Sequence, residues 1–457
     1  MAAPSPNYES YVHAKDNRDL SNIPGTFGYP VIGHTFSYIN SPLECDLEGY
    51  RRYGPVSRMR LIHLCMIRTI GPDFVKSITI DPDKVFSSRM GWEGATGGFF
   101  DGSLIVKDFD DHRLQRRIMQ SAFKTDSLRG YIESINKIIS ERLATLPVQA
   151  TLLFYPTVKA LLLDVAAKVF LGAPLDDEAA RLNQAFVDFA YGTTAIIKKD
   201  WPGLNHRKGL KARRVLEQYI QQSINKRRAG DARDMFSFFC REKNELGEYF
   251  SDQEICDHMI FMLFAAHDTT TSALTMAMYL LAKNQGWQGQ LRGEIRASTV
   301  GQLSYEQLDD AIPLLDFTFK EVLRMYPPVP GVVRRTVRPS EIGGFEVPAH
   351  TIVNTSIAAN HYSEEYWSDP FSFDPMRFSD ARQEHKQHPF LWTPFGGGAH
   401  KCIGLHFANM LFKCVLFQTI KQFRVEFVDE KQRNGKISYV PFTRLKDNLP
   451  LILSKVH

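Results

Sequence analysis

A cysteine-bearing loop is the first place in this 457-residue sequence where residue types and spacing could do chemistry. The segment PFGGGAHKCIG, residues 394–404, brings three consecutive glycines, a histidine and a lysine up to a lone cysteine, Cys402. Glycine lets a backbone approach a neighbouring group closely. The apolar run that follows Cys402 predicts a helix, whose N-terminal dipole favours a thiolate. A thiolate in this position is a candidate nucleophile or metal ligand.

Several chemistries compete for this loop. A Walker phosphate loop requires Gly-Lys followed by Ser or Thr, whereas here His400 precedes Lys401 and Cys402 follows it. A dinucleotide loop requires a preceding strand in a βαβ unit, which HPFLWTPFGGG does not suggest. A nucleophilic cysteine working with one of the 14 histidines stays open, as does a purely structural cysteine. A thiolate ligand for haem iron also explains the glycines, as a surface that lies against a flat macrocycle.

A polar stretch within an apolar helix is the second candidate. HDTTTS, residues 267–272, interrupts SDQEICDHMIFMLFAAHDTTTSALTMAMYLLAKNQG, in which Ser251 and Glu254 form a capping-box pattern. The pattern predicts about 34 helical residues, or roughly 50 Å of helix. A central Asp268 would be costly in a membrane span, so we expect a helix buried in a large domain. Asp268 and Thr269 then need a function, because unpaired buried polar groups cost several kcal/mol.

A third pattern, FKEVLRMYPPVPGVVRR, places two opposite charges on one helix face. Glu321 and Arg324 stand at i and i+3, and Pro327 and Pro328 end the helix. Taken alone, E-x-x-R indicates a surface ion pair worth less than about 1 kcal/mol.

The composition sets limits on the remaining possibilities. Hydrophobic residues make up 44% and charged residues 23%, as in an ordinary globular protein, and a net charge of +4 gives no signal for nucleic acid. The six cysteines form no C-x-x-C pair, so we expect free thiols in a reducing compartment and no structural zinc. No run of about 20 apolar residues is present, so we expect no membrane anchor and a cytoplasmic protein. The periodicity is mostly helical, with short strand-like pieces, which predicts a mainly α protein with a minor β portion.

These motifs together carry a resemblance to the cytochrome P-450 superfamily. FGGGAHKCIG is similar to its haem-binding signature, F-x-x-G-x-[HR]-x-C-x-G, whose fixed positions are filled by Phe395, Gly398, His400, Cys402 and Gly404. AAHDTT resembles the oxygen-binding stretch of the central helix, and EVLR resembles the E-x-x-R pair. FDPMRF and HRLQRRIMQSAF resemble the segment that supplies a second arginine and the helix that reaches the haem propionates.

The resemblance implies the fold and the cofactor. We expect the P-450 fold, with haem between a long central helix and the cysteine loop, in a single domain of residues 23–457 after a polar extension of residues 1–22. Haem b would be bound with its iron ligated by Cys402. By position, four residues become partners of the propionates: His112, Arg116, Arg334 and His400, with Arg335 as a substitute for Arg334. Three others become a buried structural network beneath the haem: Glu321, Arg324 and Arg377.

The resemblance also implies an activity. The enzyme would insert one atom of O2 into a hydrophobic substrate, with Asp268 and Thr269 delivering protons and opening a local groove in the helix. Electrons would come from NAD(P)H through a separate ferredoxin or flavodoxin with its reductase, drawn to basic residues on the cysteine side: Arg113, Arg117, Lys401 and Lys413. The alternatives are an H2O2-dependent peroxygenase, a haem-thiolate isomerase or dehydratase, and a non-catalytic haem sensor. The Asp268–Thr269 pair argues against the first two.

The substrate is the least constrained property. PPVPGVVRR is similar to the retinoid- and sterol-oxidising branches of the superfamily, which implies a lipid, terpenoid, retinoid or sterol-like substrate. Ala266 stands where the superfamily usually has Gly, and His112 where it often has Trp. The pocket is expected to be lined by apolar and aromatic side chains: Met90, Trp92, Phe99, Phe100, Phe261, Phe264, Ala265, Val329, Val332 and Val333.

Overall fold

Helices dominate the chain, as the sequence predicts. The computed structural model describes residues 4–96, 98–172, 177–193, 195, 197–244, 247–439 and 442–456. Within these residues fifteen α-helices occur: α1 (Thr35–Asn40), α2 (Pro42–Tyr53), α3 (Pro72–Ile80), α4 (Ser88–Thr96), α5 (Phe109–Met119), α6 (Thr125–Ala144), α7 (Phe154–Val169), α8 (Asp177–Thr193), α9 (Asn205–Ala229), α10 (Met235–Arg241), α11 (Asp252–Lys283), α12 (Gln285–Ala297), α13 (Pro313–Met325), α14 (Ile357–Asn360) and α15 (Leu405–Gln422).

Short strands form the minor β portion. In the described residues they are β1 (Val56–Leu61), β2 (Leu64–Thr69), β3 (Phe86–Ser87), β4 (Thr151–Leu153), β5 (Gly331–Thr336), β6 (Ser340–Ile342), β7 (Phe345–Val347), β8 (Ile352–Ser356), β9 (Phe423–Phe427), β10 (Ile437–Ser438), β11 (Arg444–Leu445) and β12 (Pro450–Lys455). The main sheet has the order β1-β2-β8-β5-β3, and the β2–β8 pair is parallel. A three-stranded sheet, β4-β12-β9, joins the middle of the chain to its end.

The central helix α11 is the axis of the core. It runs for 32 residues, and the capping box between Ser251 and Glu254 forms both of its hydrogen bonds, as predicted. Its side chains are buried along nearly the whole length, between α7 and α9 on one side and α13 and α15 on the other. An apolar helix of this length is stable because neighbouring helices cover every face. No helix in the described ranges is both long and apolar enough to cross a bilayer.

The N-terminal segment is tied to the body of the protein. Tyr11 is buried, and its hydroxyl donates to the Asp108 carboxylate at 3.3 Å. Arg335 on β5 forms an ion pair with Asp16 at 2.9 Å and donates to the Tyr11 carbonyl at 3.2 Å. Arg335 is therefore occupied by the N-terminal segment.

Candidate active site

The cysteine loop holds its sulfur toward an internal space. The Cys402 amide donates to the Phe395 carbonyl at 2.9 Å, which closes the loop just before α15. The Cys402 side chain is exposed, yet burial raises the pKa of its thiol, so the space that it faces lies inside the molecule. The Gly404 N–H and the nearby Arg116 act in the opposite direction by stabilising negative charge on sulfur. A bound metal ion would complete the deprotonation of such a thiol.

The glycines of the loop serve a purpose that the sequence does not reveal. Gly398 has a φ of +60°, and a Cβ on it would overlap the Thr79 carbonyl oxygen at the end of α3. A Cβ on Gly397 would lie 2.6 Å from the Thr79 hydroxyl. Gly396 has a φ of +68° but faces open space. The missing side chains of Gly397 and Gly398 therefore let the loop pack on α3, and contact of the loop with a macrocycle stays a prediction.

Gly398→Ala is expected to remove most of the haem-binding capacity. The new Cβ would clash with backbone, in a left-handed conformation that already costs about 1 kcal/mol for a non-glycine residue, so the loop must move. The measurement is the haem-to-protein ratio after purification. Gly396→Ala is the matched control, because it meets the same backbone cost in open space. Equal haem content in the two variants would show that contact with α3 does not position the cysteine.

Beside the loop lies a cluster of two imidazoles and two guanidinium groups. The rings of His112 on α5 and His400 stack with their centroids 3.8 Å apart. Burial, followed by the charges of Arg116 and Arg334, lowers the pKa of His112 to about 3 and that of His400 well below its usual value. Burial lowers the pKa of Arg334 to about 10, which leaves it protonated at neutral pH. The cluster thus offers two cations and two neutral imidazoles.

This cluster fits the propionates of haem. Among the described residues no carboxylate forms an ion pair with Arg116 or Arg334, and His112 Nδ1 makes no hydrogen bond. Asp108 and Asp81 act on Arg334 without forming an ion pair with it, so the cluster can still accept anionic oxygens from a ligand. Arg334 faces this space, whereas its neighbour Arg335 is held by Asp16. The expectation that Arg335 can replace Arg334 is therefore wrong.

One face of α11 borders an internal space. Phe261, Phe264, Ala265 and Thr269 are partly exposed although nearly all their neighbours on α11 are buried. They stand at i, i+3, i+4 and i+8, which places them on one side of the helix. The Thr269 hydroxyl donates to the Ala265 carbonyl at 2.6 Å, and the helix is continuous here. The hydroxyl competes with the backbone for this carbonyl, and a local opening of the helix stays a prediction.

Asp268 is turned toward α7 instead of solvent. Its Oδ1 lies 2.8 Å from Lys159 Nζ and 3.3 Å from Nδ1 of the buried His267. Burial raises the pKa of this carboxyl, but His267 and Lys159 outweigh burial, and the net shift is downward. The His267 Nε2 atom also lies 3.0 Å from the Lys159 carbonyl. Lys159 could not be found from the sequence, since it is 109 residues from Asp268 and no local pattern links them.

The predicted pocket residues separate into two groups. Phe99 and Phe100 are buried by other rings: Phe99 packs on Phe189 and Phe100 packs on Phe264, with centroids 5.6 Å and 4.9 Å apart. They therefore support the pocket from behind, and the expectation that these two residues line it is wrong. A second group is partly exposed and stays available to a substrate: Met90, Trp92, Phe261, Phe264, Ala265, Val329, Val332 and Val333.

The close contact between α4 and β5 brings part of this second group together. A Cβ on Gly91 would lie 2.5 Å from the Val333 carbonyl oxygen, so glycine is needed at this crossing. Met90 and Trp92 flank Gly91 and are held beside β5.

The E-x-x-R pair is fully buried in an ionic network. Arg324 Nε and Nη2 donate to the two Glu321 oxygens at 2.7 and 2.9 Å. Arg377 Nε and the Asp374 amide donate to Glu321 Oε1 at 3.2 and 2.9 Å. Arg377 also pairs with Glu384 at 3.1 Å. Every oxygen of Glu321 is thus satisfied without water, as buried charges require.

Lys413 is not on the surface of the cysteine side. Its side chain is fully buried, and its ammonium group lies 2.7 Å from both Asp309 and Asp316. Its predicted contribution to partner docking is therefore wrong, because α15 turns this residue toward α13 and the segment before it. Arg113 and Lys401 are exposed.

A mainly α fold, a cysteine loop over an internal space and a cluster suited to propionates define a haem-thiolate protein. The sequence profile of the cytochrome P-450 family matches residues 23–446. The chain is 35% identical to cytochrome P-450 136 of Mycobacterium tuberculosis, over 95% of this chain and 89% of that protein. It is 28% identical to cytochrome P-450 26B1 of Xenopus tropicalis, over 93% of this chain and 85% of that protein.

The chain belongs to the cytochrome P-450 family, whose members are haem-thiolate monooxygenases. A solved structure described as retinoic acid bound cyanobacterial CYP120A1 has the same fold, with a TM-score of 0.85 at 26% sequence identity. The similarity covers 95% of this chain and 99% of that chain. The predicted fold class, cofactor and enzyme class are confirmed.

Proposed function

We propose that this protein is a monooxygenase that inserts one oxygen atom into an extended, hydrophobic, lipid-like substrate. The observation that carries the proposal is the partly exposed, aromatic face of α11, which ends at Thr269 beside Asp268. A preformed apolar space with a few convergent polar groups is typical of a site for a hydrophobic small molecule. When bound, haem would supply the activation of O2, with one oxygen atom going to a C–H or C=C bond and the other to water.

Five residues around the cysteine loop would bind and orient the haem. Cys402 would ligate the iron through its sulfur, and the Gly404 N–H would stabilise negative charge there. Arg116 and Arg334 would hold the propionates, with hydrogen bonds from His112 and His400. These contacts orient the cofactor toward α11.

Proton delivery would fall to two adjacent residues. The Thr269 hydroxyl faces the internal space and exchanges its bond to the Ala265 carbonyl for one to a ligand. The Asp268 carboxylate would take a proton through the Lys159 ammonium group and pass it to the Thr269 side. A buried proton path of this kind excludes bulk water from the reacting groups.

A retinoid or another isoprenoid-like lipid is the substrate class that we favour. The supporting observations are the aromatic lining, which includes Phe261 and Phe264, and the retinoic acid in the similar cyanobacterial structure. A pocket with apolar and aromatic walls binds an elongated apolar molecule mainly by burying its surface, with little need for hydrogen bonds. Terpenoid and sterol-like substrates remain in the same class.

Electrons would arrive from NAD(P)H through a separate acidic ferredoxin or flavodoxin. The exposed Arg113 on α5 and Lys401 in the cysteine loop provide positive charge beside the cofactor. Charged rims of this kind accelerate association more than they add affinity.

Arg113→Glu with Lys401→Glu should slow reduction of the iron by the partner and weaken its dependence on salt. An unchanged rate would place the docking surface elsewhere.

The direct test is incorporation of oxygen from 18O2 into a lipid substrate. Candidates such as retinoic acid, farnesol and cholesterol are first titrated for a spin-state change, and a binder is then incubated with NADPH, ferredoxin and ferredoxin reductase. We expect one 18O atom in each product molecule. A peroxygenase would instead form product equally well from H2O2 alone, and an isomerase or dehydratase would form product without incorporating 18O.

A further inference from the structure

A cavity at the end of α13 has no role in the proposed reaction. Its volume is about 210 Å³, and it lies between the start of α2, the end of α13 and α14. Three tyrosines line it, and we call it the tyrosine cavity after them: Tyr326, Tyr362 and Tyr439. In the described part of the chain, none of its lining residues belongs to the haem-binding cluster or to the partly exposed face of α11.

The sequence at the end of α13 creates one wall of the cavity. Pro327 disfavours the helical conformation for Tyr326 before it, so the helix ends at Met325. The Tyr362 hydroxyl donates to the Met325 carbonyl at 2.8 Å. Pro330 is joined to the opposite wall, because its carbonyl accepts a backbone amide of α14 at 2.9 Å. The cavity is therefore enclosed by backbone that hydrogen bonds hold in place.

The segment of residues 327–330 divides the tyrosine cavity from the proposed substrate pocket. Pro327 and Pro330 line the cavity, whereas Val329 between them belongs to the group that stays available to a substrate. Thr443 closes the cavity toward α11, since its carbonyl accepts the Ser272 hydroxyl at 2.5 Å. The Thr443 hydroxyl donates to the Pro327 carbonyl at 3.4 Å. A molecule in the cavity would therefore not occupy the position of the substrate.

The polar groups on the walls favour a neutral ligand that accepts hydrogen bonds. None of the described lining residues is Asp, Glu, Lys, Arg or His. The hydroxyls of Tyr326 and Tyr439 have no hydrogen-bond partner among the described residues, and burial raises the pKa of both. Both phenols therefore stay protonated at neutral pH and can donate. The Tyr362 hydroxyl is already used by the Met325 carbonyl.

The rest of the wall is apolar and suits a ring. The Phe371 and Tyr362 rings lie with their centroids 5.2 Å apart, and Phe371 is 51% exposed, which places it at the mouth of the cavity. An apolar cavity of about 150 Å³ holds one benzene molecule, so this cavity has room for a substituted ring. Two free hydroxyls are too few to order the water that would fill this volume, and displacing poorly ordered water by an apolar group gains affinity.

We propose that the tyrosine cavity is a second small-molecule site, which binds a neutral single-ring ketone by hydrogen bonds from Tyr326 and Tyr439. The two hydroxyls donate to the ketone oxygen, and the ring of the ligand packs against Phe371 and Tyr362. The Arg324 guanidinium carbon lies 5.4 Å from the centroid of the Tyr362 ring, so the buried ionic network fixes this wall of the site.

Calorimetric titration of the holoenzyme with acetophenone tests the site. The substrate pocket is first blocked with clotrimazole, a bulky azole that ligates haem iron. Cumene is the matched ligand, because it has the same ring and a similar size but no oxygen atom. We expect one acetophenone molecule for each protein molecule, bound about tenfold more tightly than cumene. Binding of acetophenone only in the absence of clotrimazole would place it in the substrate pocket and overturn the proposal.

Removal of the two free hydroxyls tests the hydrogen bonds. Tyr326→Phe combined with Tyr439→Phe should weaken the binding of acetophenone about tenfold and leave that of cumene unchanged. Tyr362→Phe is the matched control, because its hydroxyl is used by the Met325 carbonyl, and it should bind acetophenone as the wild type does. Equal affinity for acetophenone in the double variant and the wild type would overturn the proposal.

Filling the cavity tests its location. Ala358 lines the cavity, so Ala358→Leu should abolish the binding of both acetophenone and cumene to the blocked holoenzyme. If Ala358→Leu does not incorporate haem, Leu43→Phe fills the same space from α2. Binding of acetophenone to the cavity-filling variant with the affinity of the wild type would overturn the proposal, because the ligand would then lie elsewhere.

Discussion

Glu321→Ala is expected to lower the free energy of unfolding by about 3–5 kcal/mol, the cost of breaking a buried ion pair by removing one partner. Glu321 is the acceptor for Arg324, Arg377 and the Asp374 amide, and all of these contacts are shielded from water. Its removal leaves two buried guanidinium groups short of negative charge. Because a domain of ordinary stability has only about 5–15 kcal/mol in total, little folded haem protein should accumulate.

The measurement is urea unfolding followed by far-UV circular dichroism. Glu306→Ala is the matched control, because Glu306 forms a 2.6 Å ion pair with Arg129 in which both side chains are more than half exposed. That variant should lose less than about 1 kcal/mol. If Glu321→Ala does not fold, Glu321→Gln provides the comparison, since it keeps the shape and loses the charge. A loss for Glu321→Gln no larger than that for Glu306→Ala would contradict the role assigned to the network.

Asp268→Asn is expected to lower product formation by about 10²-fold, the usual contribution of one positioned proton donor or acceptor. The side chain keeps its size, so haem content and substrate affinity should stay close to those of the wild type. The amide cannot carry a proton from Lys159 to the Thr269 side. NADPH oxidation should exceed product formation, because reduced oxygen would leave without reacting with substrate. The ratio of product formed to NADPH consumed is the quantity to measure.

Two variants separate proton transfer from charge balance. Asp268→Asn leaves the Lys159 ammonium without its 2.8 Å partner, whereas Asp268→Asn combined with Lys159→Gln removes both charges. Both variants should show the same fall in the ratio of product formed to NADPH consumed. Asp257→Asn is the matched control, because Asp257 is a buried acid on the same helix that pairs with Arg213 on α9. If Asp257→Asn lowers the ratio of product to NADPH as much as Asp268→Asn does, the loss is caused by a less stable helix and not by lost proton transfer.

The pH dependence of the Lys159–Asp268 pair follows from the direction of the carboxyl shift. Its pKa lies below the ordinary value in the folded protein, so the pair adds stability above the pKa of the unfolded chain. That contribution is lost as the pH falls through the lowered folded-state pKa. The pair therefore stays charged through the neutral range in which the enzyme is assayed.

Local sequence rules predicted the elements that carry the site. The capping box at Ser251 and Glu254 marked the start of α11, and the helix ends at Lys283, close to the expected end. The short strand-like pieces of the sequence include VSRMRLI and VRRTV, which lie in β1 and β5. These features depend on neighbouring residues, so periodicity and capping chemistry suffice to find them.

The contacts that could not be predicted from the sequence are formed between residues that lie far apart along the chain. The partners of Lys413 and Asp268 lie about a hundred residues away along the chain. Phe99 and Phe100 could not be told apart from pocket residues, because aromatic side chains suit a core and a pocket equally well. The glycine loop was found from its pattern, but its contact with Thr79 depends on where α3 comes to lie.

Ligation of the iron by Cys402 is tested most directly by the carbon monoxide difference spectrum of the dithionite-reduced protein. The spectrum is recorded for the wild type and for Cys402→Ala, each with its haem content determined. We predict a strongly red-shifted Soret band in the wild type, typical of a thiolate ligand, and its absence in Cys402→Ala. A wild-type band at the position of histidine-ligated haem, or a red-shifted band that survives in Cys402→Ala, would contradict the assignment.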